Sequence, residues 1–380
     1  MQRGRDVVFM FFGTSWAHAV ERGFMFSEDR LSGALLEHPE VRRVLVCDPY
    51  RSVLGVASDA VRRRTPAPFP SSDTARLHQP LRLRRSDPHA PARSVARYEA
   101  SVRRAARRFR LERPVVITTH PIVAGFGRFD WAGPVTYYAF DDWSASVPHR
   151  PWWPAFDEAY SRLRTEQRRA VAITERALER IAPTGPSAVV PNGVEPKEWL
   201  ELGPPPAWFA AKAHPRLLYV GSLESRVDVE QVRATAEVFP DASVTLVGKL
   251  LDPGHFESLR ALPNVEVHGT LVSRDEVVRL IAASDVCLVP HVRNPLTEAM
   301  SPLKLYEYLA GGRPVAAVDL PPIAKVKGRI ALVGATEDFP AAVQRALDMG
   351  PASEEERRAF VAEHSWQRRF DALLELALAV

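Results

Sequence analysis

Short, continuous apolar runs recur along the chain and limit the folds that it can adopt. Asp6–Phe12, Pro134–Phe140 and Ser243–Val247 are three of them. Runs without polar alternation are typical of parallel strands that are buried on both faces. Helical patterns separate the runs, for example over residues 17–37. The sequence therefore predicts an α/β protein with two doubly wound, Rossmann-like domains that face a cleft.

Turn signals set the predicted domain boundaries. The chain has 380 residues, of which 33 are proline, and this length is enough for two domains with large cores. The last strand of the first half stops at Pro191-Asn-Gly-Val194, where Asn-Gly is a strong turn signal. We predict an N-terminal domain over 1–190, an interdomain linker over 191–206, a C-terminal domain over 207–363 and a closing helix over 364–380.

The cysteines and the N-terminus indicate a reducing compartment. Cys47 and Cys287 both end apolar runs, so we expect buried free thiols rather than a disulfide. Val7–Phe12 is too short for the apolar core of a signal peptide, and no run approaches the length of a membrane span. We expect a cytoplasmic protein, with any membrane contact peripheral and on the inner face.

The region 76–113 is rich in arginine. It has twelve arginines against three acidic residues, although the whole chain carries a net charge of only +4. Ser94–Arg110 has a helical apolar face, and a solvated basic helix is the favoured interpretation. The alternative is a surface for anionic lipid or an anionic acceptor. Only Tyr98 and Phe109 interleave the basic residues, so nucleic acid is not an expected partner.

The stretch Met300–Ala317 contains a helix start suited to binding an anion. Ser301 is the predicted N-cap and Pro302 the first helical residue. Lys304 and Glu307 are three apart, so they lie on one side of the first turns. Free N–H groups and a cation can hold a diphosphate, and a carboxylate one turn on can accept two ribose hydroxyls. An ordinary capped helix with a surface Lys–Glu pair would give the same local pattern.

Further candidate residues follow the strand ends of the second half. Arg226, Lys249 and the segment 271–272 each come after a predicted strand, as does 301–307. The carboxyl ends of parallel strands share one edge, so these residues can form one nucleoside-diphosphate pocket. The chain has no G-x-x-x-x-G-K-[ST] motif, and no G-x-G-x-x-G follows the first strand. A P-loop enzyme and a nicotinamide enzyme are therefore not expected.

Strand ends in the first half supply candidates for acid–base chemistry. Gly13-Thr14 follows the first strand, His120 a later one, and Asp141-Asp142 the next. Asp142, Asp141 and His120 are the candidate bases for an acceptor group. A helix cap or a structural ion pair explains the Asp pair equally well. A structural role at a strand end is the favoured interpretation of His120.

The order of these motifs resembles the retaining glycosyltransferases of family 4, which have the two-domain GT-B fold. The chain is most similar to the bacterial branch with an S-P-L-K-L-x-E-Y-L-A-x-G motif, here within Ser301–Val315. The resemblance covers nearly the whole second half and is patchier before residue 130. The other matching segments are Val190–Val194, Tyr219–Leu223 with Arg226, Val267–Leu271, Asp141–Trp143 and Ala170–Thr174.

The resemblance implies transfer of a sugar from a UDP-, GDP- or dTDP-sugar to a hydroxyl or amine acceptor. The acceptor would be a natural product, a glycan or a lipid-linked saccharide. Glu307 would hold the ribose, and Lys304 and Arg226 would stabilise the departing diphosphate. With these two cations the reaction needs no metal, and no cofactor is expected. The remaining donor-binding residues would be Gly13, Thr14, Gly221, Ser222, Lys249, Leu271, Val272, Ser301, Pro302 and Leu303.

Two positions depart from the family pattern. The family has two glutamates with seven residues between them, and counting back from Glu307 reaches Ala299. Glu298, one residue away, or the backbone of 299–301 is the expected substitute in contacting the sugar. The family's Gly-Arg at the first phosphate loop is Gly221-Ser222 here. Two alternatives follow: a nucleotide-sugar epimerase on the same fold, and a non-catalytic nucleotide-sugar-binding protein.

Overall fold

The chain forms two compact units, each built on one parallel sheet. The computed structural model describes residues 4–53, 55–57, 67–83, 90–144, 147–270, 272–334 and 339–379. Unit 1 comprises Met1–Pro191 with Arg369–Val380, and unit 2 comprises Asn192–Arg368. Helices cover both sheets, as parallel strands that are apolar on both faces require. The predicted α/β class with two Rossmann-like domains is confirmed.

The strands of unit 1 form a seven-stranded sheet and a separate short pair. They are β1 (Arg5–Met10), β2 (Val41–Cys47), β3 (Arg51–Ser52), β4 (Ala75–His78), β5 (Leu81–Arg82), β6 (Val115–Thr118), β7 (Val135–Ala139), β8 (Arg169–Ala172) and β9 (Ser187–Val189). The order in the sheet is β4-β2-β1-β6-β7-β8-β9, and β3 pairs with β5. Val8 of β1 is level with Leu45 on one side and Val116 on the other. The first strand therefore lies inside the sheet.

The helices of unit 1 pack on both faces of this sheet. They are α1 (Trp16–Glu21), α2 (Ser27–Glu37), α3 (Pro91–Arg108), α4 (Pro121–Phe126), α5 (Trp153–Thr165) and α6 (Glu175–Ile181), with a 3₁₀ helix at Val147–Trp152. The prediction of one helix over 17–37 was wrong. Gly23 and Phe24 both have positive φ, at 64° and 55°, and two left-handed residues end one helix before the next begins.

Helix α3 accounts for the amphipathic pattern in the arginine-rich region. Its residues Val95, Tyr98, Val102 and Ala106 are buried, and the Tyr98 hydroxyl donates a 2.8 Å hydrogen bond to the carbonyl oxygen of Asp48. This face anchors the helix on the sheet, so most of its arginines point outward.

Unit 2 contains a six-stranded parallel sheet. Its strands are β10 (Arg216–Val220), β11 (Ser243–Val247), β12 (Val265–His268), β13 (Val286–Val289), β14 (Val315–Val318) and β15 (Ile330–Val333). The order is β12-β11-β10-β13-β14-β15. Leu217 of β10 is level with Val244 on one side and Val286 on the other. The first strand of this unit is also internal.

The helices after β9 complete unit 2 and return the chain to unit 1. They are α7 (Pro196–Leu200), α8 (Ala207–Ala210), α9 (Val229–Val238), α10 (Arg274–Ala283), α11 (Pro295–Ala299), α12 (Leu303–Ala310), α13 (Pro321–Ala324), α14 (Phe339–Met349), α15 (Glu354–Glu363) and α16 (Trp366–Leu378), with a 3₁₀ helix at Gly254–Ala261. The end of α16 is held within unit 1. The Arg169 guanidinium donates to the carbonyl oxygens of Leu376 and Ala377, at 3.1 and 3.0 Å. A positive charge is favourable at the C-terminus of a helix, because it complements the helix dipole.

Two smaller expectations can be compared with the structure. Cys47 and Cys287 are both buried and free, which confirms the predicted thiols. Burial raises the pKa of each thiol, so both are protonated and inert at neutral pH. Within the described ranges, every helix is too short or too polar to cross a bilayer.

Candidate active site

Each sheet reverses its strand order beside its first strand. In unit 1, β1 lies between β2 and β6, and in unit 2, β10 lies between β11 and β13. Open α/β sheets bind ligands outside the carboxyl ends of the strands at such a switch point. In unit 2, Gly221 directly follows β10, and Pro290-His291 directly follows β13. The loops at this edge contain candidate residues of the second half.

Lys304 lies at this switch point, held by groups without negative charge. Its Nζ donates to the Tyr219 hydroxyl at 2.9 Å and lies 3.2 Å from Nε2 of His291. The same Nζ is 4.4 Å from the centre of the Tyr219 ring. Gly221 has φ +150°, and a Cβ there would lie 2.8 Å from Nζ of Lys304. A glycine is therefore needed for the lysine to lie against this loop.

The electrostatics of this cluster favour an incoming anion. Burial, together with the charge of Arg226, lowers the pKa of Lys304 to about 7. Burial and the charges of Lys304 and Arg226 lower the pKa of His291 well below its usual value, so its imidazole is neutral. An anion beside Lys304 would favour the charged form of its amine and raise its pKa again. Binding of an anion at this site would therefore stabilise the positive charge of Lys304.

Arg226 joins the same cluster, as the sequence predicted. Its guanidinium pairs with Glu224, and Nη1 lies 3.9 Å from the Met300 sulfur. Its backbone carbonyl accepts from the Val292 N–H at 2.9 Å, which ties the loop after β10 to the loop after β13. Nε is buried without a hydrogen-bond partner in the described part of the chain. The guanidinium therefore keeps donor capacity for a ligand.

Helix α12 begins one residue later than predicted. Its N-cap is Pro302, so the assignment of Ser301 as N-cap and Pro302 as first helical residue was wrong. No side chain of the described residues caps this first turn. The Ser301 carbonyl instead accepts from the Asn192 side chain at 2.8 Å, which fixes the chain just before the helix. The uncapped N–H groups of the first turn are the donors that an anion would satisfy.

Glu307 is held one turn further along α12. Its Oε1 accepts from Nη1 of Arg274 at 2.5 Å, and the residue is 8% exposed. Arg274 also donates to Oε2 of Glu198 from Nε and Nη2, at 2.8 and 2.6 Å. The arginine bridges two carboxylates, so it fixes the direction of the Glu307 side chain. No sequence motif indicated Arg274 or Glu198.

In unit 1, Gly13 and His120 lie near each other at the ends of β1 and β6. Both line one cavity of about 290 Å³. Burial, with a contribution from Arg82, lowers the pKa of His120 to about 3, so its imidazole is a weak base. The adjacent Thr14 is buried, and its hydroxyl accepts from Arg22 at 3.0 Å. Thr14 therefore fixes the loop from inside, while Gly13 faces solvent.

The Asp pair after β7 is engaged in its own turn. Oδ1 of Asp142 accepts from the backbone N–H and the hydroxyl of Ser144, at 3.0 and 2.6 Å. Oδ1 of Asp141 accepts from the Asp142 N–H at 2.8 Å. Among the described residues, the cavity wall that holds Gly13 and His120 includes neither aspartate. These contacts are those of a turn closed by its own side chains.

The family of the second unit follows from its sequence. Residues 214–349 match the family model described as Glycosyl transferases group 1. Unit 2 therefore contains a group 1 glycosyl transferase domain. The matched residues include Lys304, Glu307, Arg226 and Arg274, whereas Glu198, the second partner of Arg274, precedes them.

Known proteins support the assignment in different ways. TuaH of Bacillus subtilis (strain 168), whose name proposes a glycosyltransferase of teichuronic acid biosynthesis, is 31% identical over 111 residues. That match covers 29% of this chain and 28% of TuaH, so the chain spans little more than a quarter of that relative. Sucrose-phosphate synthase from Thermosynechococcus elongatus is 16% identical with a TM-score of 0.65, over 98% of both chains. Anabaena HepE, solved in complex with UDP and glucose, is 12% identical with a TM-score of 0.62, over 99% of this chain and 100% of that one. The two structures show that this chain has the GT-B fold.

The two positions that the sequence analysis assigned to the sugar differ from the rest of the cluster. Ala299 is buried, with 3% of its surface exposed. Arg293 lies 3.3 Å from the Glu298 carboxylate. Ser222 and Lys249 are exposed at the sheet edge, Leu303 and Val272 are half-buried, and Leu271 lies outside the described residues. The structure brings together the residues predicted for the diphosphate and ribose. Of the two predicted sugar positions, Ala299 is buried and Glu298 lies beside Arg293.

Proposed function

We propose that this protein transfers a sugar from a nucleoside-diphosphate sugar to a hydroxyl or amine acceptor, with retention of configuration and without a metal. The main observation behind the proposal is that two cationic side chains, Lys304 and Arg226, lie near each other beside an uncapped helix start. Two cations and free N–H groups match a diphosphate. The family to which unit 2 belongs agrees with this chemistry.

The donor contacts follow from the geometry of unit 2. Lys304 and Arg226 would neutralise the diphosphate, with N–H groups at the start of α12 as further donors. Glu307, held by Arg274 at 2.5 Å, would accept the ribose hydroxyls. The backbone at 271–272 would contact the base. Glu298 or the backbone of 299–301 would contact the sugar.

The rate of glycosyl transfer depends mainly on the leaving group. The bond between the anomeric carbon and the diphosphate oxygen breaks as the acceptor oxygen or nitrogen bonds to that carbon, and negative charge develops on the diphosphate. Fixed cations and N–H dipoles stabilise that charge without reorganising. In a retaining reaction the departing phosphate can take the acceptor proton. The enzyme then needs no side-chain base, which agrees with the engaged state of Asp142 and the low pKa of His120.

The relatives suggest where to begin the search for substrates. HepE was solved with UDP and glucose, so a UDP-sugar is the first donor to test. The name of TuaH refers to teichuronic acid biosynthesis, and we take a glycan or lipid-linked saccharide as the first acceptor to test. For such an acceptor, the exposed arginines of α3 would offer a peripheral contact with anionic lipid at the inner membrane face.

Thermal-shift measurements with UDP, GDP, dTDP and their sugars test the donor assignment. A ligand that binds only the folded state raises the unfolding midpoint by mass action. The preferred donor is then incubated with and without candidate acceptors, and free nucleoside diphosphate and glycosylated product are measured. Release coupled to product supports the transferase. A donor sugar that isomerises without an acceptor would instead indicate an epimerase, and stabilisation without turnover would indicate a binding protein.

A further inference from the structure

The cavity that Gly13 and His120 share has the position and size of a small-molecule site. It opens at the switch point of unit 1, between the ends of β1 and β6, and its volume is about 290 Å³. Ligand pockets generally begin at about 300 Å³, so this cavity suits a ligand near the size of one sugar ring. All of its lining residues belong to unit 1. It is therefore separate from the cluster around Lys304 in the second sheet.

Aromatic side chains form much of the cavity wall. The Phe12 ring meets His120 edge-on with 4.6 Å between centroids and lies 5.8 Å from His149. Tyr50 stacks on Tyr98 at 5.6 Å with an interplanar angle of 3°. Hydrogen bonding of the Tyr98 hydroxyl to the Asp48 carbonyl fixes this pair. The wall is a rigid apolar surface of the kind against which the C–H face of a ring can pack.

The polar part of the wall is positively charged. Arg51 and Arg82 both line the cavity, and among the described lining residues there is no aspartate or glutamate. The Arg82 guanidinium carbon lies 5.7 Å from the centre of the Tyr50 ring. Its Nε is buried without a hydrogen-bond partner among the described residues, and burial lowers its pKa. A partly desolvated cation without a counter-ion gains stability when an anion arrives.

His120 adds a neutral polar contact. Its Nδ1 is buried without a hydrogen-bond partner in the described part of the chain. A neutral imidazole nitrogen can accept a hydrogen bond from a hydroxyl or donate one, depending on the tautomer. The cavity thus combines a ring-packing wall, an anion-binding side and a contact for a hydroxyl.

We propose that this cavity binds the acceptor, and that the acceptor is a single sugar-sized ring that carries an anionic group. This inference rests on the proposed transferase function for its meaning, although the binding itself does not depend on a donor. Arg82, with Arg51 beside it, pairs with the phosphate or carboxylate, because a guanidinium fork matches either group in a bidentate contact. The aromatic wall packs on the ring.

Calorimetric titration of the full chain without donor tests the proposal. The probes are a hexose 6-phosphate, the matching hexuronic acid, the neutral hexose and inorganic phosphate. At least one anionic sugar should bind about tenfold tighter than the neutral hexose, because charge-assisted hydrogen bonds are roughly twice as strong as neutral ones. It should also bind tighter than inorganic phosphate, which lacks the ring. Equal affinity for the neutral hexose, or for phosphate alone, would overturn the assignment.

Variants separate this site from the donor site. Arg82→Gln should weaken binding of the anionic sugar about tenfold while binding of UDP stays unchanged, and Arg82→Lys should restore part of the affinity. The matched control is Arg128→Gln, an exposed arginine of unit 1 that lies outside both α3 and this cavity. Trp152→Leu tests the aromatic wall. It should weaken binding of the anionic sugar more than binding of inorganic phosphate. If Arg82→Gln leaves the affinity unchanged, the cavity is not the anion site. If UDP fails to bind but the anionic sugar binds, the transferase proposal fails and the cavity assignment stands.

Discussion

Lys304 donates a 2.9 Å hydrogen bond to the hydroxyl of Tyr219 and lies 4.4 Å from the centre of the same ring. The lysine is thus held by a phenol, a π face and the neutral His291, and none of these three groups carries a negative charge. These groups fix the position of the ammonium without cancelling its charge. The charge stays available for a ligand, which is the arrangement expected of a preorganised leaving-group site.

Lys304→Met should remove activity and leave the fold intact. Loss of one preorganised donor at a developing negative charge costs about 100- to 1,000-fold in turnover. The thermal midpoint should stay the same or rise, because the variant no longer buries a charge that burial disfavours. Turnover and the midpoint are measured on the same preparation. Lys327→Met, at an exposed position of unit 2, is the matched control, and full activity of Lys304→Met would refute the assignment.

Donor binding should weaken as the pH rises above 7. The pKa of Lys304 is lowered to about 7 in the free protein, and the bound diphosphate would raise it. Below pH 7 the amine is charged in both states, so affinity should be constant. Above pH 7 binding must take up a proton, so affinity should fall by up to about tenfold per pH unit. Calorimetry with a UDP-sugar from pH 6 to 9 measures this, and Lys304→Met should give a flat profile. A flat wild-type profile would contradict the role of Lys304.

Glu307→Gln should weaken the binding of every nucleoside diphosphate for which the parent protein has measurable affinity. A hydrogen bond to a charged group contributes about 1.5–3 kcal/mol, so the loss of affinity should be at least tenfold. The fold should persist, since Arg274 keeps its two hydrogen bonds to Glu198. Titration of the same diphosphates into Glu198→Gln is the control. Glu198→Gln should weaken diphosphate binding less, because Glu198 influences the Glu307 carboxylate through Arg274. Undiminished affinity in Glu307→Gln would rule out the ribose contact.

Much of the fold was predictable because local pattern and global structure agree. Ser243–Val247 is a strand with the predicted bounds, since a run buried on both faces needs no help from distant residues. The edge strand Ala75–His78 was missed. It lies in a proline-rich stretch, and only its pairing with β2 defines it. Edge strands are half-exposed and carry a weaker apolar signal.

The candidate site was predictable only in part, for a similar reason. Lys304, Arg226 and Glu307 were found because they follow strand ends or share a helix face. Tyr219 and His291 also stand at strand ends, and the same rule could have found them. Arg274 could not be found in this way. It bonds to Glu198 across 76 positions, and a long-range ion pair leaves no spacing in the sequence.

Two glycines at the ends of first strands should respond differently to alanine. A Cβ on Gly13 would have no atom within 4 Å, so Gly13→Ala should fold normally. Its turnover should still fall about 100-fold, because Gly13 lines the cavity proposed for the acceptor and small misplacements of a reactant are costly. Gly221→Ala should lower both stability and turnover, since it strains the backbone and displaces Lys304. Thermal midpoints and initial rates distinguish the two variants, and a fully active Gly13→Ala would show that this loop does not position the acceptor.

Asp142→Asn should keep most of the turnover, within about threefold of the parent protein. Oδ1 of Asp142 accepts two hydrogen bonds from Ser144, and the amide oxygen of asparagine can accept the same two. A general base would contribute about 100- to 10,000-fold, so the two roles predict well-separated results. Ser144→Ala removes only the hydroxyl contact and serves as the structural control, with a small fall in the thermal midpoint. A loss beyond 100-fold in Asp142→Asn, with an unchanged midpoint and a missing acid limb in the pH–rate profile, would make Asp142 the base.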